Sequence, residues 1–225
     1  MNEICGLYKD AQTLDVQGTH VVSTDEMTGI QALEHKYPDK LPLPGQCATM
    51  EFEYIRHGTT SLIGCFNIAG GFLYTPYLNK TRTEEDFCKA IQEVVNTASE
   101  DNWVFVCDGL NTHQSESLVR YVAKACGLED DLGQKGKSGI LKNMESRRNF
   151  LHDPTHRIRF VYTPKHSSWM NQIEIWFGII SRRLLKRKSY ISIAELEESI
   201  RKFIIQYNLT AHPFRWTYAG IPLAV

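Results

Sequence analysis

Residues 103–108 read WVFVCD, a run of five apolar residues that ends on Asp108. Such a run is typical of a central strand that is covered on both faces. A second, β-branched run, THVVST at residues 19–24, ends in the same way on Asp25. We therefore predict two buried strands, each of which delivers a carboxylate at its C-terminal end.

The patterns around these two runs alternate between strand and helix. Gly70 and Gly71 divide residues 51–78 into two strand-like runs, which indicates an antiparallel hairpin. Thr83 is placed to cap a helix, and Ser192 with Glu195 forms a capping-box pattern for the last helix. Helices are predicted over about 83–98, 115–126, 171–188 and 192–207, and a further strand over 157–162. The predicted fold is α/β, a mixed sheet flanked by helices.

The chain has 225 residues, of which 42% are hydrophobic and 23% charged, and its formal net charge is -1. This size and composition predict a single domain over residues 1–225. The near-zero charge argues against a surface coated in basic residues, so contacts with nucleic acid must come from local patches. No apolar run is long enough to predict a membrane span. The six cysteines lack a CxxC pattern, and we expect reduced thiols in a cytoplasmic protein.

Residues 128–156 are mixed in charge and rich in glycine and proline. We predict a surface insertion there with at most one short helix, and a plain solvated excursion is the favoured interpretation.

Three acidic residues are candidates for chemistry. A single aspartate at a strand end often starts a turn or caps a helix. If Asp25 and Asp108 end adjacent strands, however, their carboxylates converge and raise each other's pKa unless a cation lies between them. Glu174 lies on a predicted helix, on a face of small residues that it shares with Gly178 and Ser181. A lone helical glutamate is usually an exposed surface residue, and that alternative stays open from the pattern alone.

Four stretches together resemble a known family. They are STDEMTGIQALE (23–34), EFEYIRHGT (51–59), CDGLNTHQSE (107–116) and YTPKHSSWMNQIEIWFGIISRRLLKR (162–187). Their order and content are similar to the bacterial insertion-sequence family numbered 630, the prokaryotic relative of the mariner transposases. The resemblance extends from about residue 4 to residue 218. It implies a ribonuclease-H-like fold and a DDE triad formed by Asp25, Asp108 and Glu174.

The sequence departs from the family pattern at three points. Gly109 stands where asparagine often follows the second aspartate. The separation between Asp108 and Glu174 is longer than in mariner relatives, and the insertion at 128–156 accounts for it. The usual amino-terminal helix-turn-helix module has no counterpart here, so we expect recognition of transposon ends to need such a module on a separate chain.

The resemblance implies a DNA transposase that cleaves strands and transfers their ends. Three carboxylates offer hard oxygen ligands, which suit Mg²⁺ or Mn²⁺, and a pair of such ions can clamp an in-line phosphoryl displacement. The expected partners are transposon-end and target DNA, with a homodimer formed on DNA, and the expected location is the bacterial cytoplasm at the nucleoid. Two alternatives remain: a truncated fragment that regulates full-length copies without catalysis, and a nuclease on the same fold that does not transpose.

Basic residues near the triad are candidates for DNA contacts. Lys165 and His166 precede the helix of Glu174, where phosphate binding and simple loop solubility are equally good explanations. Arg56 and His57 in the hairpin are weaker candidates of the same kind. A basic cluster follows Glu174 along its predicted helix and exceeds what helix capping needs. It consists of Arg182, Arg183, Lys186, Arg187 and Lys188.

Overall fold

The computed structural model describes residues 1–37, 43–47, 53–128, 131–186 and 188–218. Within these ranges the chain forms five strands and six α-helices. The strands are β1 (Thr19–His35), β2 (Tyr54–Asn67), β3 (Tyr77–Asn79), β4 (Asn102–Cys107) and β5 (Ile158–Tyr162). The helices are α1 (Asn2–Val16), α2 (Glu84–Val95), α3 (Glu116–Ala125), α4 (Met144–His152), α5 (Ile173–Ile180) and α6 (Ile193–Asn208). No helix in the described ranges is long and apolar enough to cross a bilayer.

The sheet has the strand order β3-β2-β1-β4-β5. β2 pairs antiparallel with both β1 and β3, whereas β4 lies parallel to β1 and to β5. Alternate side chains of the strands enter two hydrophobic cores, one under α1, α5 and α6 and the other under α2, α3 and α4. This arrangement confirms the predicted mixed sheet flanked by helices.

β1 is longer than the sequence predicted. The expected strand ended at Asp25, but β1 continues to His35 because β2 keeps pairing with it, with Asp25 opposite Gly64. A register shift follows, with Gly29 at φ 66, a conformation that glycine adopts without strain. The parallel ladder to β4, in contrast, stops at Ser23. Asp25 therefore lies where β1 leaves β4, next to the C-terminal end of that strand.

The segment at 128–156 is not a plain solvated excursion. Its predicted short helix is confirmed as α4, but Leu141 and Leu151 are fully buried and Phe150 is buried in the core beneath α2 and α3. The Arg147 Nε also donates to the carbonyl of Gln114 at 2.6 Å. This packing joins the segment to residues that are distant in the chain, so no local pattern predicted it.

The helix boundaries follow local signals in most cases. Thr83 caps α2 in a reciprocal capping box with Asp86. At α6 only half of the predicted box forms, because the Glu195 carboxylate accepts from the amide of Ile191 rather than from that of Ser192. α5 is shorter than predicted and continues as a π-helical turn over Ser181–Leu185. α1 was not predicted from the sequence.

Candidate functional site

Asp25 is held in a buried position between β1 and the start of α5. Its side chain accepts from the Glu26 amide at 2.8 Å and from the Asn171 Nδ2 at 3.1 Å. Burial, the largest influence, and the nearby charge of Asp108 raise the pKa of Asp25 to about 7, against the lowering effect of the Glu26 amide. A carboxyl group with such a pKa favours a neutralising proton or cation at neutral pH.

Asn171 ties the start of α5 to β1. This fully buried side chain donates to Asp25 and accepts from the hydroxyl of Ser23. The same hydroxyl accepts from the backbone amide of Ile173 at 2.9 Å. Glu174 lies in the first turn of α5. These bonds therefore fix the position of Glu174 relative to the carboxylates at the end of the sheet.

Asp108 follows β4 directly and is fixed through one of its oxygens. Its Oδ1 accepts from the Leu110 amide at 3.0 Å and lies 2.7 Å from the His113 Nδ1, which also lies 3.1 Å from the backbone carbonyl oxygen of Asp108. Burial by itself raises the pKa of Asp108, but these two hydrogen bonds outweigh burial and lower it below its ordinary value. Because both contacts use Oδ1, the other oxygen can serve as a metal ligand.

His113 connects Asp108 to Glu26. Its side chain is 0% exposed, and its Nε2 lies 3.2 Å from the Glu26 Oε2, whose side chain is 2% exposed. The two atoms form an ion pair when His113 is protonated. Burial lowers the pKa of His113, yet its contacts with Asp108, Cys107 and Glu26 raise it well above the ordinary value.

Glu174 is exposed in the first turn of α5. Burial and then the charge of Asp108 raise its pKa. The charge of Asp108 thus raises the pKa of both Asp25 and Glu174, which indicates that the three predicted acids lie near one another. Such an accumulation of carboxylates matches the hard oxygen ligands of a divalent cation.

The guanidinium group of Arg182 covers the small-residue face beside Glu174. A Cβ built on Gly178 lies 3.1 Å from a terminal nitrogen of Arg182, so the guanidinium folds back over this glycine. Arg182 therefore lies along the face of α5 that carries Glu174. An alanine at position 178 forces the guanidinium to shift.

The other basic candidates lie in two places, one pair just before α5 and the other pair in β2. Lys165 and His166 are exposed in the connection between β5 and α5, and His166 has φ 61, uncommon for a residue with a side chain. Arg56 and His57 lie in β2 at least seven residues from Gly64, the partner of Asp25, which is roughly 23 Å along a strand. The structure therefore does not bring this pair to the carboxylates.

The basic cluster after Glu174 is only partly within the described residues. Arg182 and Arg183 are exposed on the π-helical turn, and Lys186 is exposed at its end. Lys188 donates to the Ser199 hydroxyl at 2.7 Å, which ties it to α6. Arg187 lies outside the described residues.

Sequence reasoning missed three participants in the site. Glu26 was overlooked because adjacent residues of a strand point to opposite faces, so only Asp25 was expected there. His113 lies in the matched stretch at 107–116 but was given no role, although a histidine five residues after a strand-end aspartate was a usable signal. No sequence pattern indicated a role for Asn171, since its partners Ser23 and Asp25 are distant in the sequence.

The raised pKa of Asp25 predicts a pH effect on stability. Between its ordinary pKa of 3.8 and its folded pKa of about 7 the folded chain binds more protons than the unfolded chain, so the free energy of unfolding falls as pH rises. We expect Asp25→Asn to stabilise the metal-free protein at pH 8 and to change it little at pH 4. Urea unfolding of both proteins at the two pH values measures this, and equal differences at both contradict it.

Comparison with known families and structures agrees with this geometry. Residues 20–197 match the family described as DDE superfamily endonuclease. Among solved structures, the chain is similar to the Mos1 transposase paired-end complex with left transposon end, with a TM-score of 0.53 and 14% identity over 93% of this chain. It is also similar to the catalytic domain of the Mos1 mariner transposase, with a TM-score of 0.51 and 9% identity over 93% of this chain and 79% of that one.

A third similar structure is the Mos1 mariner paired-end complex with Mn, with a TM-score of 0.51 and 10% identity over 91% of this chain and 54% of that one. The chain spans about half, 53%, of the transposase in the paired-end complex with the left transposon end. No curated protein sequence matches the chain significantly. At these identities the likeness shows the fold, the ribonuclease-H-like arrangement of a transposase catalytic domain.

Proposed function

The chain belongs to the DDE superfamily endonuclease family, and from this premise we propose that it is the catalytic part of a DNA transposase. In this proposal it cleaves DNA strands at transposon ends and joins the freed 3′ ends to target DNA, with divalent metal ions held by Asp25, Asp108 and Glu174. The observation that carries the proposal is that burial first, and then the charge of Asp108, raises the pKa of both Asp25 and Glu174.

The residues at this edge of the sheet fit a divalent cation. Asp25 is buried with a pKa of about 7. Burial leaves the charge of its ionised carboxylate poorly compensated, which a bound cation relieves. The donor set consists of carboxylates, which suits Mg²⁺ or Mn²⁺, and we propose two ions.

In the proposed mechanism the protein positions the reacting groups. Divalent ions held by Asp25, Asp108 and Glu174 would supply activation of the attacking oxygen and charge stabilisation of the leaving 3′ oxygen. Asn171 holds the orientation of Asp25, and His113 with the Leu110 amide holds that of Asp108. Lys165 and His166, exposed just before α5, contact the phosphates of the bound strand. No protein nucleophile is needed, because water attacks in cleavage and a 3′-hydroxyl attacks in joining.

Exposed basic side chains follow Glu174 along α5 and the π-helical turn, next to the phosphate contacts proposed for Lys165 and His166. Arg182 lies over Gly178 on the face of Glu174, and Arg183 and Lys186 follow it on the π-helical turn. We propose that they contact the DNA backbone away from the scissile phosphate, together with Arg187. Arg56 and His57, at the far end of β2, contact DNA at a separate place.

The resemblance in sequence supports narrower proposals. We assign the protein to the bacterial insertion-sequence family numbered 630, acting at the nucleoid in the cytoplasm. It acts on DNA as a homodimer that pairs two transposon ends, and a helix-turn-helix module supplies recognition of the ends.

Strand joining separates a transposase from a nuclease of the same fold. We expect the protein with Mn²⁺ to join a labelled oligonucleotide that carries a free 3′-hydroxyl to supercoiled plasmid DNA. The same oligonucleotide with a 3′-deoxy end is the matched control, because it lacks the attacking oxygen. Nicking of the plasmid without joining of either oligonucleotide assigns the protein to the nucleases and rejects transposition.

A further inference from the structure

An exposed arginine at the start of α2 borders the loop at 109–114, which follows Asp108. Arg82 directly precedes the residue that caps α2. It lines a cavity of about 420 Å³ together with Glu26 and residues 109–112. The carboxylate of Glu26 lies 3.2 Å from the imidazole of His113, and residues 109–112 carry no charge. The cavity therefore presents the cation of Arg82 beside an uncharged stretch of loop.

A second exposed arginine adjoins the other end of the same loop. The guanidinium carbon of Arg148, on α4, lies 4.9 Å from the centre of the Tyr162 ring. The hydroxyl of Tyr162 donates to the carbonyl of His113, at the end of the loop, at 2.9 Å. Tyr162 is also the strand partner of Cys107, the residue before Asp108, and neighbouring strands lie about 4.8 Å apart. Arg148 is thus held next to the strand that delivers Asp108.

Neither arginine is neutralised by a carboxylate within the part of the chain that the structure describes. Arg148 has the ring of Tyr162 as its one recorded partner there, and Arg82 has none. Arg120, in contrast, forms an ion pair with Glu116 at 2.7 Å. Two exposed guanidinium groups without acidic partners keep their N–H donors available to an anion.

The contact with Tyr162 orients Arg148 without using its donors. A cation over the face of an aromatic ring is attracted by the ring's electrons and needs no hydrogen bond to stay there. The guanidinium is planar, and its N–H groups form a fork that matches two oxygens of one phosphate. Arg148 is therefore arranged to bind the backbone of a nucleic acid beside the proposed catalytic acids.

These two arginines lie on the other face of the sheet from the basic residues that follow Glu174. α2 and α4 pack on one hydrophobic core, whereas α5 packs on the other, and Arg182 lies along α5. Joining requires two DNA molecules to meet at the carboxylates, because one supplies the 3′-hydroxyl and the other the phosphate that is attacked. Cations on both faces of the sheet give each DNA a surface of its own.

We propose that Arg82, Arg148 and the loop at 109–114, which we call the second DNA surface, bind the backbone of target DNA during joining. The residues on the side of α5 then hold the transposon end. Contacts to phosphates carry no sequence information directly, which suits a target of arbitrary sequence. This inference rests on the proposed function and adds to it a division of the two DNA substrates between two surfaces.

The first test measures binding of DNA without any reaction. A short labelled duplex of arbitrary sequence is titrated with the metal-stripped full chain at several salt concentrations and followed by fluorescence anisotropy. Arg82→Gln and Arg148→Gln are each expected to reduce the slope of log affinity against log salt by about one unit, because each loses a phosphate contact. Arg148→Lys keeps the charge but not the fork, so it should keep the slope and lose part of the affinity.

Arg201→Gln is the matched control for the loss of one positive charge. Arg201 is exposed on α6, which packs on the same core as α5 and not on that of α2 and α4. We expect an unchanged salt slope in this variant.

The second test uses the joining reaction and varies each DNA separately. In Arg82→Gln and Arg148→Gln we expect the plasmid concentration at half-maximal joining to rise at least about threefold, with no change for the 3′-hydroxyl oligonucleotide. Arg182→Gln is expected to show the reverse, because Arg182 lies on the side of α5. This exchange of effects is what separates a target surface from a general loss of DNA binding.

The outcomes distinguish this inference from the proposed function. Unchanged salt slopes in both Arg82→Gln and Arg148→Gln overturn the second DNA surface, whether or not the protein joins DNA. A rise for the oligonucleotide in place of the plasmid overturns its assignment to target DNA. Reduced slopes in a protein that joins nothing reject the proposed function, and with it the target, while the phosphate contacts stand.

Discussion

Replacing Asp108 with asparagine is expected to reduce Mn²⁺-dependent nicking of supercoiled DNA by about three orders of magnitude. A metal ion contributes several kcal/mol to the transition state of phosphoryl displacement, and each 1.36 kcal/mol corresponds to a factor of about ten in rate. Asparagine keeps an oxygen that can accept from His113 and from the Leu110 amide. The variant is thus expected to fold while losing the charge that holds the ion.

The control for this experiment is Glu145→Gln, which removes an exposed carboxylate from α4. It is expected to nick DNA at the wild-type rate. Asp25→Asn and Glu174→Gln should each resemble Asp108→Asn, and combining them should add little, because residues that act as one unit are not additive. Unchanged nicking in Asp108→Asn removes this residue from the proposed site. Inactivity of the wild type as well favours the regulatory fragment.

Leu151→Ala is expected to lower the free energy of unfolding by about 2–5 kcal/mol, as large-to-small changes in a core do. Leu151 is fully buried in the core beneath α2 and α3, although it belongs to the segment at 128–156 that the sequence predicted to be solvated. The loss comes from removed apolar contacts and from the cavity left behind. Urea unfolding followed by circular dichroism measures the change.

Met144→Ala provides the comparison within the same helix. Met144 is 42% exposed at the start of α4. Its truncation is expected to change the free energy of unfolding by less than about 0.5 kcal/mol. If Leu151→Ala is as mild as Met144→Ala, the segment is peripheral to the stability of the domain. If Leu151→Ala has the larger effect, residues 128–156 are part of the folded core.

The elements that sequence reasoning predicted well are those with local signals. The apolar run at 103–107 became β4, and the helix predicted over about 83–98 became α2. Thr83 capped that helix as predicted, because a cap depends only on the next three residues. The convergence of Asp25 and Asp108 was also predictable, since parallel strands end at the same edge of a sheet.

The errors concern interactions between distant parts of the chain. The length of β1 beyond Asp25 depends on β2, which pairs with it up to His35. The burial of Leu151 depends on packing beneath helices that lie far from it in the chain. Neither partner can be identified from periodicity, because a strand or helix pattern records which face is apolar and not what covers it.

The sequence by itself determined the class of fold, the two aspartates at one edge of the sheet and the helix that carries Glu174. Apolar periodicity and strand polarity are properties of short stretches, and they suffice for these conclusions. Only the tertiary structure decided that Asn171 supports Asp25 and that Glu26 faces His113. The physical reason is that each of these contacts joins residues from different elements, and their hydrogen-bonding geometry exists only once β1, β4 and α5 are packed together.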